Sequence, residues 1–113
     1  MLISDLEKRF GFTAVMNEYK DRELSSAYTS DLLSDVMTNG KADGVLITIQ
    51  AHKNSIAVAS FVNLAAVVIC NNRECPEDMI KAAKEEGIAV FVTRHSQFEV
   101  SGMLWAVFGD KQA

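Results

Sequence analysis

A chain of 113 residues with 49% hydrophobic and 23% charged residues has the size and apolar content of one globular domain, not of a disordered segment. A formal net charge of −4 without any dense Lys/Arg cluster argues against a nucleic-acid backbone or an anionic membrane surface as partner. The longest apolar stretch, about Ile56 to Cys70, is broken by Ser60 and Asn63 and is too short to span a bilayer.

The first residues carry no basic segment followed by an apolar run, so no secretion signal is expected. Ser4 and Glu7 have the spacing of a capping box and open a helix that places Leu6 and Phe10 on one face and stops at Gly11. Phe12 to Met16 reads as a short strand. The polar segment from Asn17 to Thr29 has room for one more, around Leu24 to Tyr28. Thr29 or Ser30 then caps a helix over Asp31 to Thr38, with Leu32, Leu33, Val36 and Met37 on its apolar face. Asn39-Gly40 closes it, and Asp43-Gly44 turns the chain.

From here the pattern alternates. Val45 to Ile49 is a β-branched run expected to be buried on both faces, and a helix follows over Asn54 to Asn63. Ala65 to Cys70 is a second such run. Pro76 opens a helix that ends at Gly87, and Ile88 to Val92 is the third run. Ser96 and Glu99 form another capping box, for a last helix carrying Phe98, Leu104, Trp105 and Phe108 and ending at Gly109. Strands alternating with helices predict an α/β domain whose mostly parallel sheet is covered by helices, with residues 1–113 forming a single unit.

In such sheets ligands sit beyond the carboxyl ends of the strands. Three of these ends hold Thr48, Gln50, His52, Lys53 and Asn54, then Asn71, Asn72 and Arg73, then Thr93, Arg94, His95 and Ser96. Both histidines and several cations fall in this set, and each segment leads into a helix N-terminus, which favours negative charge. A small anionic ligand is the corresponding expectation; the plainer alternative is a set of ordinary polar loops. Asp31 and Asp35 stand four apart on one helix, either as paired carboxylates or as a solvated face.

No reaction is written into these residues. Two histidines without a third ligand do not make a zinc site, and neither glycine-rich phosphate motif is present, so no metal or cofactor is expected. Cys70 and Cys75 have no redox or zinc spacing and fit a reducing cytoplasm. Cys75, beside a helix start, is the one thiol placed for a lowered pKa, with His52 or His95 as a base.

The segments Ser30-Asp31-Leu32-Leu33-Ser34-Asp35-Val36-Met37 and Thr48-Ile49-Gln50-Ala51-His52-Lys53-Asn54, with Pro76-Glu77 and Glu85-Glu86-Gly87-Ile88, resemble the small stand-alone proteins of the DRTGG-domain group. That group is similar in fold to the N-terminal domain of HPr kinase/phosphorylase. The resemblance covers nearly the whole chain, although the Asp-Arg-Thr-Gly-Gly motif itself is missing. It implies a three-layer α/β domain, usually a homodimer, without known enzymatic activity. It also implies a role in regulation or ligand sensing, in settings that include hydrogenase and sensor-kinase systems.

The expected protein is therefore a non-catalytic regulatory or ligand-sensing domain. Asp31, Asp35, Thr48, Gln50, His52, Asn54, Thr93 and His95 are its candidate ligand contacts. The alternatives are a small enzyme using His52 or His95 as general base, and an assembly module docking a protein partner through the Trp105 region.

Overall fold

The computed structural model describes residues 1–112, with side chains described through Gly109. The chain runs α1 (Asp5–Lys8), β1 (Thr13–Met16), β2 (Ala27–Thr29), α2 (Leu33–Asn39), β3 (Val45–Thr48), α3 (Lys53–Phe61), β4 (Ala66–Ile69), α4 (Glu77–Glu86), β5 (Ala89–Val92) and α5 (Gln97–Gln112). The five strands form one sheet in the order β1-β5-β4-β3-β2. Strands β2 to β5 are parallel neighbours in register, and β1 joins the far edge antiparallel to β5.

Strand alternation divides the core in two. Leu46, Val67, Ile69 and Val90 face α2, α3 and α4, where they meet Val36, Ile56, Ala59, Met79 and Ala83. Val45, Ile47, Ala66, Val68, Ala89 and Phe91 face α1 and α5, where they meet Leu6, Val100, Leu104 and Phe108. This layering follows from chain order. Each crossover from β2 to β5 moves one strand in the same direction, and right-handed crossovers then put all three helices on one face. The continuous apolar runs at β3 and β4 are needed because both faces are covered; every residue of either strand is buried. The expected three-layer α/β fold is the one observed.

Several local expectations are corrected. Ser4 does not cap α1 with its side chain; its hydroxyl and amide both donate to the Asp21 carboxylate, so a distant residue serves that helix end. Helix α2 begins at Leu33, because Asp31 is drawn onto the end of β3. Only Val36 of the four expected apolar positions is buried there, and Leu32 and Met37 are exposed. Gly109 does not end α5, which continues to Gln112. The core stripe of α5 is Val100, Leu104 and Phe108. Phe98 and Trp105 point outward, 88% and 62% exposed. Other signals hold as read. Gly87 ends α4 in the left-handed region at φ 67°, and Ser96 and Glu99 form a reciprocal box at 3.0 and 3.2 Å.

Candidate functional site

The carboxyl ends of β2 to β5 lie along one edge of the domain, and the loops leaving them are tied together by side chains. Asp31, just past β2, is the first tie. Its Oδ1 accepts from the Thr48 hydroxyl (2.8 Å), the Ile49 amide (2.9 Å) and the Gln97 side-chain amide (3.0 Å). The Gln50 side chain donates to the Asp31 carbonyl at 3.1 Å, and the Gln50 amide donates to the Thr48 hydroxyl at 3.1 Å. One carboxylate thus joins the ends of β2 and β3 to the first turn of α5. Burial opposes its charge, but the Ile49 amide, the Thr48 hydroxyl, the Gln97 amide and the nearby Arg73 guanidinium outweigh that and hold its carboxyl below the usual range. Gln97 was not singled out from the sequence, since only the fold brings it within reach of a residue 66 positions earlier.

The next loops form a second tie. The Asn71 amide donates to the His95 carbonyl and the Asn72 amide to the Thr93 carbonyl, both at 2.9 Å. Asn71 and Asn72 reach these acceptors from left-handed backbone, at φ 63° and 55°, a region Asn enters more readily than other residues with a side chain. Thr93 is nearly buried, and its hydroxyl accepts from the His95 amide at 3.2 Å. His95 Nδ1 lies 3.3 Å from Glu99 Oε2. The Ser96 amide first, and then the His95 and Ser96 side chains, lower the Glu99 carboxyl.

Beside this loop pair is a cleft of about 410 Å³, lined by Phe10, Gly11, Thr13, Asn72, Val92, Thr93, Arg94 and His95. Three of these eight residues come from the α1–β1 turn and the start of β1. Antiparallel pairing explains this, because Thr13 at the start of β1 is registered with Val92 at the end of β5. The sequence pattern shows that Phe12 to Met16 is a strand but says nothing of its partner or direction, so Phe10, Gly11 and Thr13 were not foreseen here. Arg94 is exposed, and among the described residues its side chain has no hydrogen-bond or ion-pair partner.

The eight candidate residues are thus divided among four places. Thr93 and His95 line the cleft. Asp31, Thr48 and Gln50 form the tie across β2 and β3. His52 Nδ1 accepts from the Asn54 amide at 3.0 Å, so these two residues cap α3. Asp35 is apart from the rest: its carboxylate accepts from the Tyr28 hydroxyl (2.8 and 2.9 Å) and from the Asn39 side chain (2.8 Å). The hydroxyl of Ser30, then Tyr28 and Asn39, hold the Asp35 carboxyl below its ordinary value.

The helix starts are less open to anions than the sequence pattern implied. Helix α3 is capped by His52 and α5 by Ser96. Helix α4, without a side-chain cap, has Glu77 and Asp78 in its first turn. Positive charge at this edge therefore comes from side chains, Arg94 foremost. Cys75 is half-buried, and burial pushes its thiol up to about 11, opposite to the direction a nucleophile needs. Cys70 is likewise pushed up to about 11, by burial and then by Asp31. Among the described residues no three His, Cys, Asp or Glu side chains are grouped as a metal set, and no helix is long and apolar enough to cross a membrane.

The fold has a solved counterpart. The chain is similar, with a TM-score of 0.71 and 11% identity, to the crystal structure of the CBS and DRTGG domains of the regulatory region of Clostridium perfringens pyrophosphatase complexed with its activator, diadenosine tetraphosphate. The alignment covers 90% of this chain and 45% of that one, so this chain spans under half of that protein's length. No curated protein matches the chain. The family described as HPr Serine kinase N terminus matches residues 46–108, from β3 through most of α5. More than half of the chain lies within that match, and the chain belongs to the HPr Serine kinase N terminus family.

Proposed function

We propose that this domain is a non-catalytic regulatory or ligand-sensing module that binds a small anionic ligand at the carboxyl ends of β4 and β5. One observation carries the reading: among the described residues the Arg94 side chain has no hydrogen-bond or ion-pair partner, and it lines a cleft with Asn72, Thr93 and His95. In a chain of net charge −4 such a cation draws an anion. Thr93 and His95 are the ligand contacts, and the Asp31–Thr48–Gln50 tie holds the start of α5 in place beside them. Asp35, His52 and Asn54 shape neighbouring helix ends. The structural counterpart supports the reading, since its DRTGG domain belongs to a regulatory region.

The module works as a homodimer or on a larger protein partner. Phe98 and Trp105 on α5, with Leu32 after β2, supply exposed apolar surface for that contact. Two free thiols fit action in a reducing cytoplasm.

A thermal-shift screen with inorganic phosphate, nucleotides, phosphorylated sugars and carboxylates tests the ligand reading. A ligand at a hundredfold excess over its Kd stabilises the fold by about 2.7 kcal/mol. Stabilisation by an anion that Arg94→Ala abolishes is expected; the absence of any shift across the anions refutes the reading.

A further inference from the structure

The cleft holds two chemistries, and the second narrows the ligand. Phe10, half-buried, lines the same cleft as Arg94 and His95. Its ring stacks on Phe12 with centroids 5.8 Å apart and planes at 22°. Phe12 is 1% exposed and fixed in the core, so Phe10 rests on a rigid base. The Arg9 guanidinium lies over the Phe10 ring, 5.6 Å from its centroid. Between Phe10 and Thr13, Gly11 sits at φ 72°, and a Cβ placed there would meet nothing within 4 Å. The floor at that point is bare backbone, open to a close approach.

A volume of about 410 Å³ is far larger than a bare phosphate fills. It falls within the range of about 300–1,000 Å³ typical of organic ligand pockets. Phosphate-sized anions would satisfy Arg94 and leave the Phe10 side unused. An apolar ligand would satisfy Phe10 and leave the cation unused.

We propose that the cleft binds a nucleoside phosphate, with the base against Phe10 and the phosphate toward Arg94 and His95. This rests on the anionic-ligand reading above and deepens it. The cation is supplied by the strand-end loop and the aromatic by the α1–β1 turn. The site therefore exists only because β1 pairs antiparallel with β5 and brings that turn to the carboxyl end of the sheet. The left-handed Asn71 and Asn72 hold the remaining wall, through their bonds to the His95 and Thr93 carbonyls.

Calorimetric titration of the protein with AMP, adenosine and inorganic phosphate separates the parts. Stacking of a base on an aromatic ring and pairing of a phosphate each contribute about tenfold or more in affinity. AMP is expected to bind at least about tenfold more tightly than adenosine or phosphate. Arg94→Ala is expected to reduce AMP to the level of adenosine, and Phe10→Leu to reduce it to the level of phosphate. Phosphate binding as tightly as AMP, with Phe10→Leu silent, overturns this inference while leaving a simple anion site standing. Binding of neither AMP nor phosphate overturns both. Adenosine binding as tightly as AMP, with Arg94→Ala silent, also overturns both. If Phe10→Leu fails to fold, the unmodified protein still decides: adenine stacking shifts the Phe10 and Gly11 proton resonances by ring current, and AMP binding without such shifts overturns the proposal.

Discussion

Replacing Asp31 with alanine removes the acceptor shared by Thr48, Ile49 and Gln97. The Gln97 side chain can turn to water. The Thr48 hydroxyl cannot, because Thr48 is fully buried, and the Ile49 amide is partly buried with it. A net hydrogen bond to a charged group is worth about 1.5–3 kcal/mol, and a buried donor left without an acceptor costs about 1–3 kcal/mol. These contributions overlap, so a loss of about 2–4 kcal/mol is expected, or roughly 8–16 °C in Tm for a domain of this size. Asp31→Asn keeps an oxygen in the same place and should lose about half as much. The acid limb gives an independent check. The folded carboxyl titrates below its ordinary value of 3.8, so its contribution is complete above that value and is lost as pH falls through the folded one. Asp31→Asn should therefore flatten the decline in stability below about pH 4. Urea denaturation followed by far-ultraviolet circular dichroism measures all three quantities. An Asp31→Ala protein within about 0.5 kcal/mol of the parent, the usual scatter for an uninvolved surface site, would refute the reasoning.

Other outcomes follow from the same geometry. Gly87 and Gly102 both leave open space for a Cβ, yet only Gly87 has positive φ. Gly87→Ala should lose about 1 kcal/mol at the α4 end, whereas Gly102→Ala inside α5 should gain about 0.5–1 kcal/mol, both read from denaturant midpoints. A Cβ at Gly109 would come within 2.5 to 2.8 Å of the Trp105 indole. Since Trp105 is largely exposed, Gly109→Ala should swing the ring into water and shift its emission to the red, with the helix intact. Cys75, with its thiol pushed up to about 11, should alkylate near pH 7 more slowly than free cysteine. Faster labelling would revive the nucleophile reading.

The parallel part of the sheet was legible because burial on both faces leaves a plain mark. Val45 to Ile47 and Ala66 to Ile69 are wholly apolar, and Gly87 and the Ser96–Glu99 box punctuate the helices with local chemistry alone. What escaped depends on distant partners. Ser4 resembles a cap, but Asp21 takes its hydroxyl. Asp31 resembles a helical residue but is bound to the end of β3, which delays α2 and exposes Leu32. Phe98 and Trp105 have the composition of a core stripe, but seven positions separate them on a face that Val100, Leu104 and Phe108 do not share. The strand-end rule located Thr93 and His95 correctly at one edge. It had no access to the opposite wall, because the direction of β1 is decided by its pairing with β5.

The proposed function requires an anion in the cleft between the α1–β1 turn and the β5–α5 loop. An amide chemical-shift titration of the unmodified protein with AMP reads this residue by residue. If the proposed function is right, saturable shifts centre on Gly11, Thr13, Asn72, Thr93, Arg94 and His95. Shifts that are absent, or that centre on the groove of Lys53, Asn54, Ala57 and Glu85 between α3 and α4, would contradict it.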